Sequence, residues 1–160
     1  MAEPVIIDAS PLIFFARSCH LDLLRIFASE VWVPEPVADE IRQRGAQDMT
    51  ARALEDTDWL LPKAAPLIPA AITEWRLGRG ESAVLALAAE HQQEAVIDDL
   101  AGRKCAASLN IPVRGTLGIV LIAKQRGVIP AARPILEDMV KTGLYLSRAV
   151  LDQALRKVGE

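Results

Sequence analysis

Apolar residues fall into two rhythms along this chain. Short, nearly unbroken aliphatic runs at 4–8, 31–34, 59–61, 95–98 and 111–114 alternate with longer stretches in which apolar residues recur every three or four positions. Runs of this length, rich in Val and Ile, read as strands, and the intervening stretches read as helices. Strict alternation of the two predicts an α/β fold with a central parallel sheet of about five strands flanked by helices. Between 10 and 28, Leu12, Phe15, Leu21, Leu24 and Phe27 keep mostly helical spacing and predict two short helices split near Cys19 and His20. A helix over 36–44 should stop at Gly45, and 81–91 is rich in helix formers and should be mostly buried. Past Ile111 the pattern becomes mainly helical. An apolar helix ends at Gly127, Pro134 opens another, and Ser147 is placed to N-cap a last one, so the C-terminal third is helical. Three prolines in 62–72 predict an irregular connection there, a candidate mobile flap beside a site.

Composition narrows the class. With 160 residues, 51% of them hydrophobic, the chain suits one domain over 1–160 with a sizeable core. A net charge of −3 excludes a protein that coats nucleic acid by bulk attraction, so any such role must rest on a local patch. Two cysteines, both in stretches read as helical, make no disulfide framework and fit a reducing cytoplasm. The start lacks a basic region followed by a long apolar run, and no stretch has the length of a membrane span, so a soluble protein with no membrane partner is expected. His20 and His91 lack ligand or triad spacing and read as surface or helix-end residues; Cys105 reads as a small core residue.

The acids carry the chemistry. In open parallel sheets, ligands bind beyond the carboxyl ends of the strands. Asp8 ends the first strand, and Asp98 and Asp99 end the fourth. Glu40 lies early in the helix after the second strand, and Glu81 opens the helix before the fourth. Each has an ordinary alternative as a helix-dipole acid, a cap or a solvated position. Together they place four or five carboxylates on one edge, and two adjacent aspartates at a buried strand end repel unless a cation compensates. Carboxylates without His or Cys suit a hard cation, Mg2+ or Mn2+, whose use would be to activate water for phosphodiester hydrolysis. Arg103 and Lys104, in the first turns after Asp99, and Arg114, ending the fifth strand, are candidates to hold a substrate phosphate; Lys104 reads equally well as a solvated charge.

The strings VIIDASPLI, VPEPVADEI, GRGESAVLALA and VIDDLAGRKCAASLNIPVRGTLGIVLIAKQRGVI resemble the PIN-like domains, relatives of the VapC-type toxin nucleases, and in particular a subfamily of predicted nucleic-acid-binding proteins. The resemblance runs from Val5 to about Leu155. It implies a three-layer α/β fold and a Mg2+- or Mn2+-dependent ribonuclease with an acidic pocket, often a homodimer, whose prokaryotic relatives commonly act as toxins held inactive by a small antitoxin. Matched by position, Asp8, Glu40, Glu81 and Asp98 or Asp99 take the places of the family's acids, as catalytic and metal-binding residues, and Ser10 that of the hydroxyl residue beside the first aspartate. Two departures stand out. Glu81 replaces a usual aspartate, and Ile97-Asp98-Asp99 replaces a usual Thr-x-Asp, which leaves open which of the paired aspartates is a ligand.

Other readings fit less well. Gly115 to Gly118, GTLG, opens a helix after a strand but lacks the Gly-Lys-Ser/Thr ending of a P-loop and reads as a tight turn. A haloacid-dehalogenase-like phosphatase would want an aspartate where Ser10 stands, and a receiver would need its acids in another order. The competing class is a PIN-like protein that binds RNA or a partner protein without turnover.

Overall fold

The computed structural model describes residues 3–160. Met1 and Ala2, the first residues of the segment that lacks a signal-sequence pattern, lie outside the described residues. Five strands, β1 (Val5–Ile7), β2 (Val31–Pro34), β3 (Leu60–Lys63), β4 (Glu94–Val96) and β5 (Val113–Arg114), make one sheet in the order β3-β2-β1-β4-β5, and every pairing is parallel. The helices are α1 (Ala9–Arg17), α2 (Glu35–Arg42), α3 (Met49–Asp56), α4 (Ala70–Thr73), α5 (Arg79–His91), α6 (Leu100–Ser108), α7 (Thr116–Gln125), α8 (Arg133–Lys141) and α9 (Arg148–Arg156), with a 3-10 turn at Leu21–Ile26. The chain builds outward from β1 to β2 and β3, then returns to add β4 and β5 on the other side. Strand order therefore reverses between β1 and β4, and the crevice beyond their carboxyl ends is the favoured ligand position in such sheets.

Burial follows the strand pattern. All three residues of β1 are buried, as expected for a central strand covered on both faces. Ile6, Ile7, Leu12, Phe15 and Leu24 join Leu85, Ile119 and Leu136 from the later helices in the core. Cys105 lies inside it, as its small apolar character predicts, and burial raises its thiol pKa.

Some boundaries differ from the sequence reading, each for a local reason. The third strand runs on through Pro62, which an edge strand tolerates because one side of its ladder is free. Cys19 is not helical: it takes φ +61° and breaks the 10–28 stretch where a split was expected. Helix α3 was not foreseen. Its signal is Asp48, whose carboxylate accepts the Thr50 and Ala51 N–H groups and pairs with Arg17 and Arg44. Within 62–72, expected to be irregular, β3 ends and the single turn of α4 begins, anchored by a fully buried Ile72. Among the described residues no helix is long and apolar enough to cross a membrane.

Candidate functional site

Asp8 follows the last residue of β1 and stands at the N-cap of α1. Its N–H donates to the Val96 carbonyl at 3.0 Å, which extends the β1–β4 ladder to the mouth of the crevice. The residue is only 6% exposed. Burial is the main reason its carboxyl is pushed up from 3.8 to about 7; the Ala9 N–H pulls the other way, and the charges of Glu81, Glu40 and Asp98 push it further up. The charges acting on this buried acid are thus acids themselves. Without a cation the site discourages its own ionisation.

Helices α2 and α5 bring in the glutamates. Val37, Ala38 and Ile41 bury one face of α2, leaving Glu40 exposed at its rim. The close approach occurs at Gly80. A Cβ there would lie 3.3 Å from Val37 Cγ2, 3.4 Å from Glu40 Oε2 and 3.6 Å from Asp8 Oδ1. Gly80 thus keeps open a space bordered by two of the acids. Glu81 is half-buried, and its Oε2 accepts the Gly78 N–H at 2.7 Å, the glutamate half of a capping box. A side chain on Gly78 would collide with that carboxylate at 2.7 Å.

The paired aspartates take different jobs. Asp99 N-caps α6, accepting the Gly102 N–H at 2.8 Å, and is not among the acids acting on Asp8. Asp98 is among the acids acting on Asp8, and its carboxylate is held by one residue. The Thr116 N–H donates to its Oδ1 at 2.7 Å and the Thr116 hydroxyl to its Oδ2 at 2.6 Å. Thr116 is fully buried, so this carboxylate is fixed in orientation while each oxygen keeps a lone pair free. Geometry thereby separates two residues that sequence left equivalent.

Arg103 joins Asp98 across Gly115. A Cβ on Gly115 would sit 2.7 Å from Arg103 Nη1 and 3.2 Å from Asp98 Oδ1, so glycine leaves room for both groups. Ser10 is exposed in the first turn of α1, at the same edge, and Lys104 faces solvent. Arg114 does not join them. Its side chain runs back to the amino end of the sheet, where it pairs with Glu94 and stacks 4.1 Å from the centroid of Phe27. The phosphate-holding role expected for Arg114 is therefore not supported by its position, because its guanidinium pairs with Glu94 at the amino end of the sheet. Sequence reasoning missed Gly80, Gly115 and Thr116 as site residues. Their signal was present in GRGES and GTLG, motifs that stand out in the chain and whose use depends on what packs opposite.

The donors are all oxygen, which suits a hard divalent cation. Among the described residues no three His, Cys, Asp or Glu side chains stand close enough to hold an ion as they are. Mg2+ commonly keeps several waters and needs only one or two carboxylates, so the pair bordering the Gly80 gap, Asp8 and Glu40, fits such an ion in character. Glu81 accepts the Gly78 N–H on Oε2 alone, which leaves Oε1 as its oxygen for an ion.

Curated proteins give no match to the chain. A family model described as PIN domain matches residues 4–160, nearly the whole length, over the same strands and helices that assemble the acidic crevice. The chain belongs to the PIN domain family.

Proposed function

We propose that this protein is a divalent-metal-dependent endoribonuclease that hydrolyses RNA phosphodiesters at the carboxyl edge of its sheet. The observation that carries the reading is Asp8, a buried carboxylate with a pKa near 7, opposed by Glu81, Glu40 and Asp98 at a topological switch point. Such an arrangement weakens the metal-free fold and favours a bound cation. Asp8, Asp98 and Glu81, the last through Oε1, would hold Mg2+ or Mn2+, directly or through water. When bound, the ion supplies Lewis acidity for phosphodiester hydrolysis. Glu40, exposed at the rim of the gap, would orient the attacking water and accept its proton. Thr116 keeps Asp98 fixed in orientation, and Arg103, beside Gly115, would neutralise a phosphate oxygen.

A second reading rests on a specific observation. Among the described residues no three acids stand close enough to hold an ion, and Glu81 is engaged in capping α5, which favours a PIN-like protein that binds RNA or a partner without cutting. One experiment separates the two. A mixed RNA pool is incubated with manganese, with magnesium and with EDTA, with Asp8→Asn run alongside. Metal-dependent cutting that disappears in the folded variant supports the nuclease; a folded, metal-binding wild type that leaves RNA intact supports the binder. The toxin role, a small antitoxin and a homodimer are proposed on the family resemblance alone.

A further inference from the structure

A groove of about 390 Å³ opens directly from the acidic edge, with Asp98 and Arg103 at one end and Lys157 among its lining. Leu117 and Leu121 of α7 and Val150 of α9 give it apolar walls, and Tyr145, the only tyrosine in the chain, also borders it. Tyr145 is 95% exposed although both its neighbours turn inward, Leu144 being buried and Leu146 half-buried.

The backbone around Tyr145 is pinned. Helix α8 ends in a Schellman motif, with Leu144 N–H on the Met139 carbonyl and Gly143 at φ +117°. Two residues further on, the Ser147 hydroxyl accepts the Val150 N–H and starts α9. An aromatic ring is thus presented to solvent on a short connection fixed at both ends, beside apolar walls and cations. Gly118 adds room, since a Cβ there would meet nothing within 4 Å.

We propose that this groove binds one base of single-stranded RNA next to the phosphodiester that is cut, with Tyr145 as the stacking platform and Arg103 and Lys157 on flanking phosphates. The inference rests on the ribonuclease reading of the acidic edge and adds where the strand lies. A flat ring with apolar walls suits a base, and the cations suit a backbone that a chain of net charge −3 would otherwise repel. The volume suits a single base pulled from its stack rather than a duplex. An apolar peptide would use the walls and leave Arg103 and Lys157 without partners, which is why RNA is favoured.

The test uses short single-stranded RNAs carrying 2-aminopurine at successive positions, bound in calcium with intactness checked on a gel, while cleavage in manganese is measured separately. Wild type should quench the fluorophore at one position. Tyr145→Ala should weaken binding about 5- to 100-fold and abolish that quench, whereas Tyr145→Phe keeps both within about 2-fold. Gly118→Leu fills the groove with a better helix former, so it should block the quench without lowering the melting temperature. Lys157→Ala should reduce the salt slope of binding by about 0.7. If wild type shows no position-specific quench, or if Tyr145→Ala and Gly118→Leu bind as wild type does, the assignment is overturned; intact cleavage by those variants would then leave the nuclease reading standing without this subsite. Absence of cleavage by a wild type that shows the Tyr145-dependent quench would instead overturn the nuclease and support the groove.

Discussion

The two ends of the same parallel sheet treat charge in opposite ways. At the amino end, Glu94 at the start of β4 is paired with Arg114, whose guanidinium also stacks on Phe27, and Arg126 approaches the same ring at 5.2 Å. That end has a cavity of about 410 Å³, comparable to the groove beside the acids, and its lining holds both signs of charge, Glu3 and Glu94 with Arg114 and Arg126. At the carboxyl end, Asp8 is buried and the charges that act on it have the same sign. A matched pair near a cavity is what stability alone would build. An unmatched buried acid costs stability and calls for a ligand to explain it. The size of a cavity therefore says less about function than the balance of charge around it.

The comparison breaks most sharply at Asp8. Asp8→Asn should lower metal-dependent RNA cleavage by at least about 100-fold while circular dichroism and melting behaviour show an intact fold. A folded variant that still cuts at the wild-type rate would remove Asp8 from the chemistry.

Stability should carry the same signature. The folded Asp8 holds its proton up to about pH 7, while the unfolded chain releases it near 3.8, so between these values the folded state binds more protons. Stability of the metal-free protein should therefore fall as pH rises across that window, by up to roughly 4 kcal/mol at about 1.36 per unit. Manganese at pH 8 should restore part of it, raising the melting temperature by about 5–10 °C at 100 times the dissociation constant. In Asp8→Asn the pH slope should flatten. Thermal melts from pH 4 to pH 8, with and without manganese, decide this, and a wild-type profile that is level across the range would refute the unmatched acid.

The two aspartates sharpen the contrast at closer range. Asp98→Asn should weaken manganese binding about 10-fold or more in calorimetry. Asp99→Asn should leave it within about 2-fold and cost only a few tenths of a kcal/mol, because asparagine caps a helix about as well as aspartate. Equal effects would mean the pair shares the ion.

The smallest expected effect on activity lies at the amino end. Arg114→Ala should cost about 1–2 kcal/mol through loss of the pair with Glu94 and the stack on Phe27, both partly exposed to solvent. Cleavage per folded molecule should not change. A selective loss of RNA binding there would return Arg114 to the substrate.

Much of this was legible from the chain. Strand runs such as 4–8 and 31–34 announce themselves because a central parallel strand must be apolar on both faces, and the rule that ligands sit beyond strand carboxyl ends places Asp8 and Asp98 on one edge before any contact is known. Helix α3 was less visible, since it spans only eight residues and owes its start to a side-chain cap rather than to a long apolar stripe.

What the sequence determined by itself is the periodic part: the α/β alternation, the acids' assignment to an edge, the burial of Cys105 and the resemblance to a PIN domain that the family match bears out. Tertiary structure decided everything that depends on which way a side chain turns. Asp98 is held by Thr116, eighteen residues away, while Asp99 caps the α6 N-terminus, and of the two only Asp98 acts on Asp8. Arg114 leaves the site because Glu94 and Phe27 hold it elsewhere. Periodicity records which residues share a face or an edge. Hydrogen bonds and ion pairs between distant segments exist only once the chain is folded, and these assign each carboxylate its task.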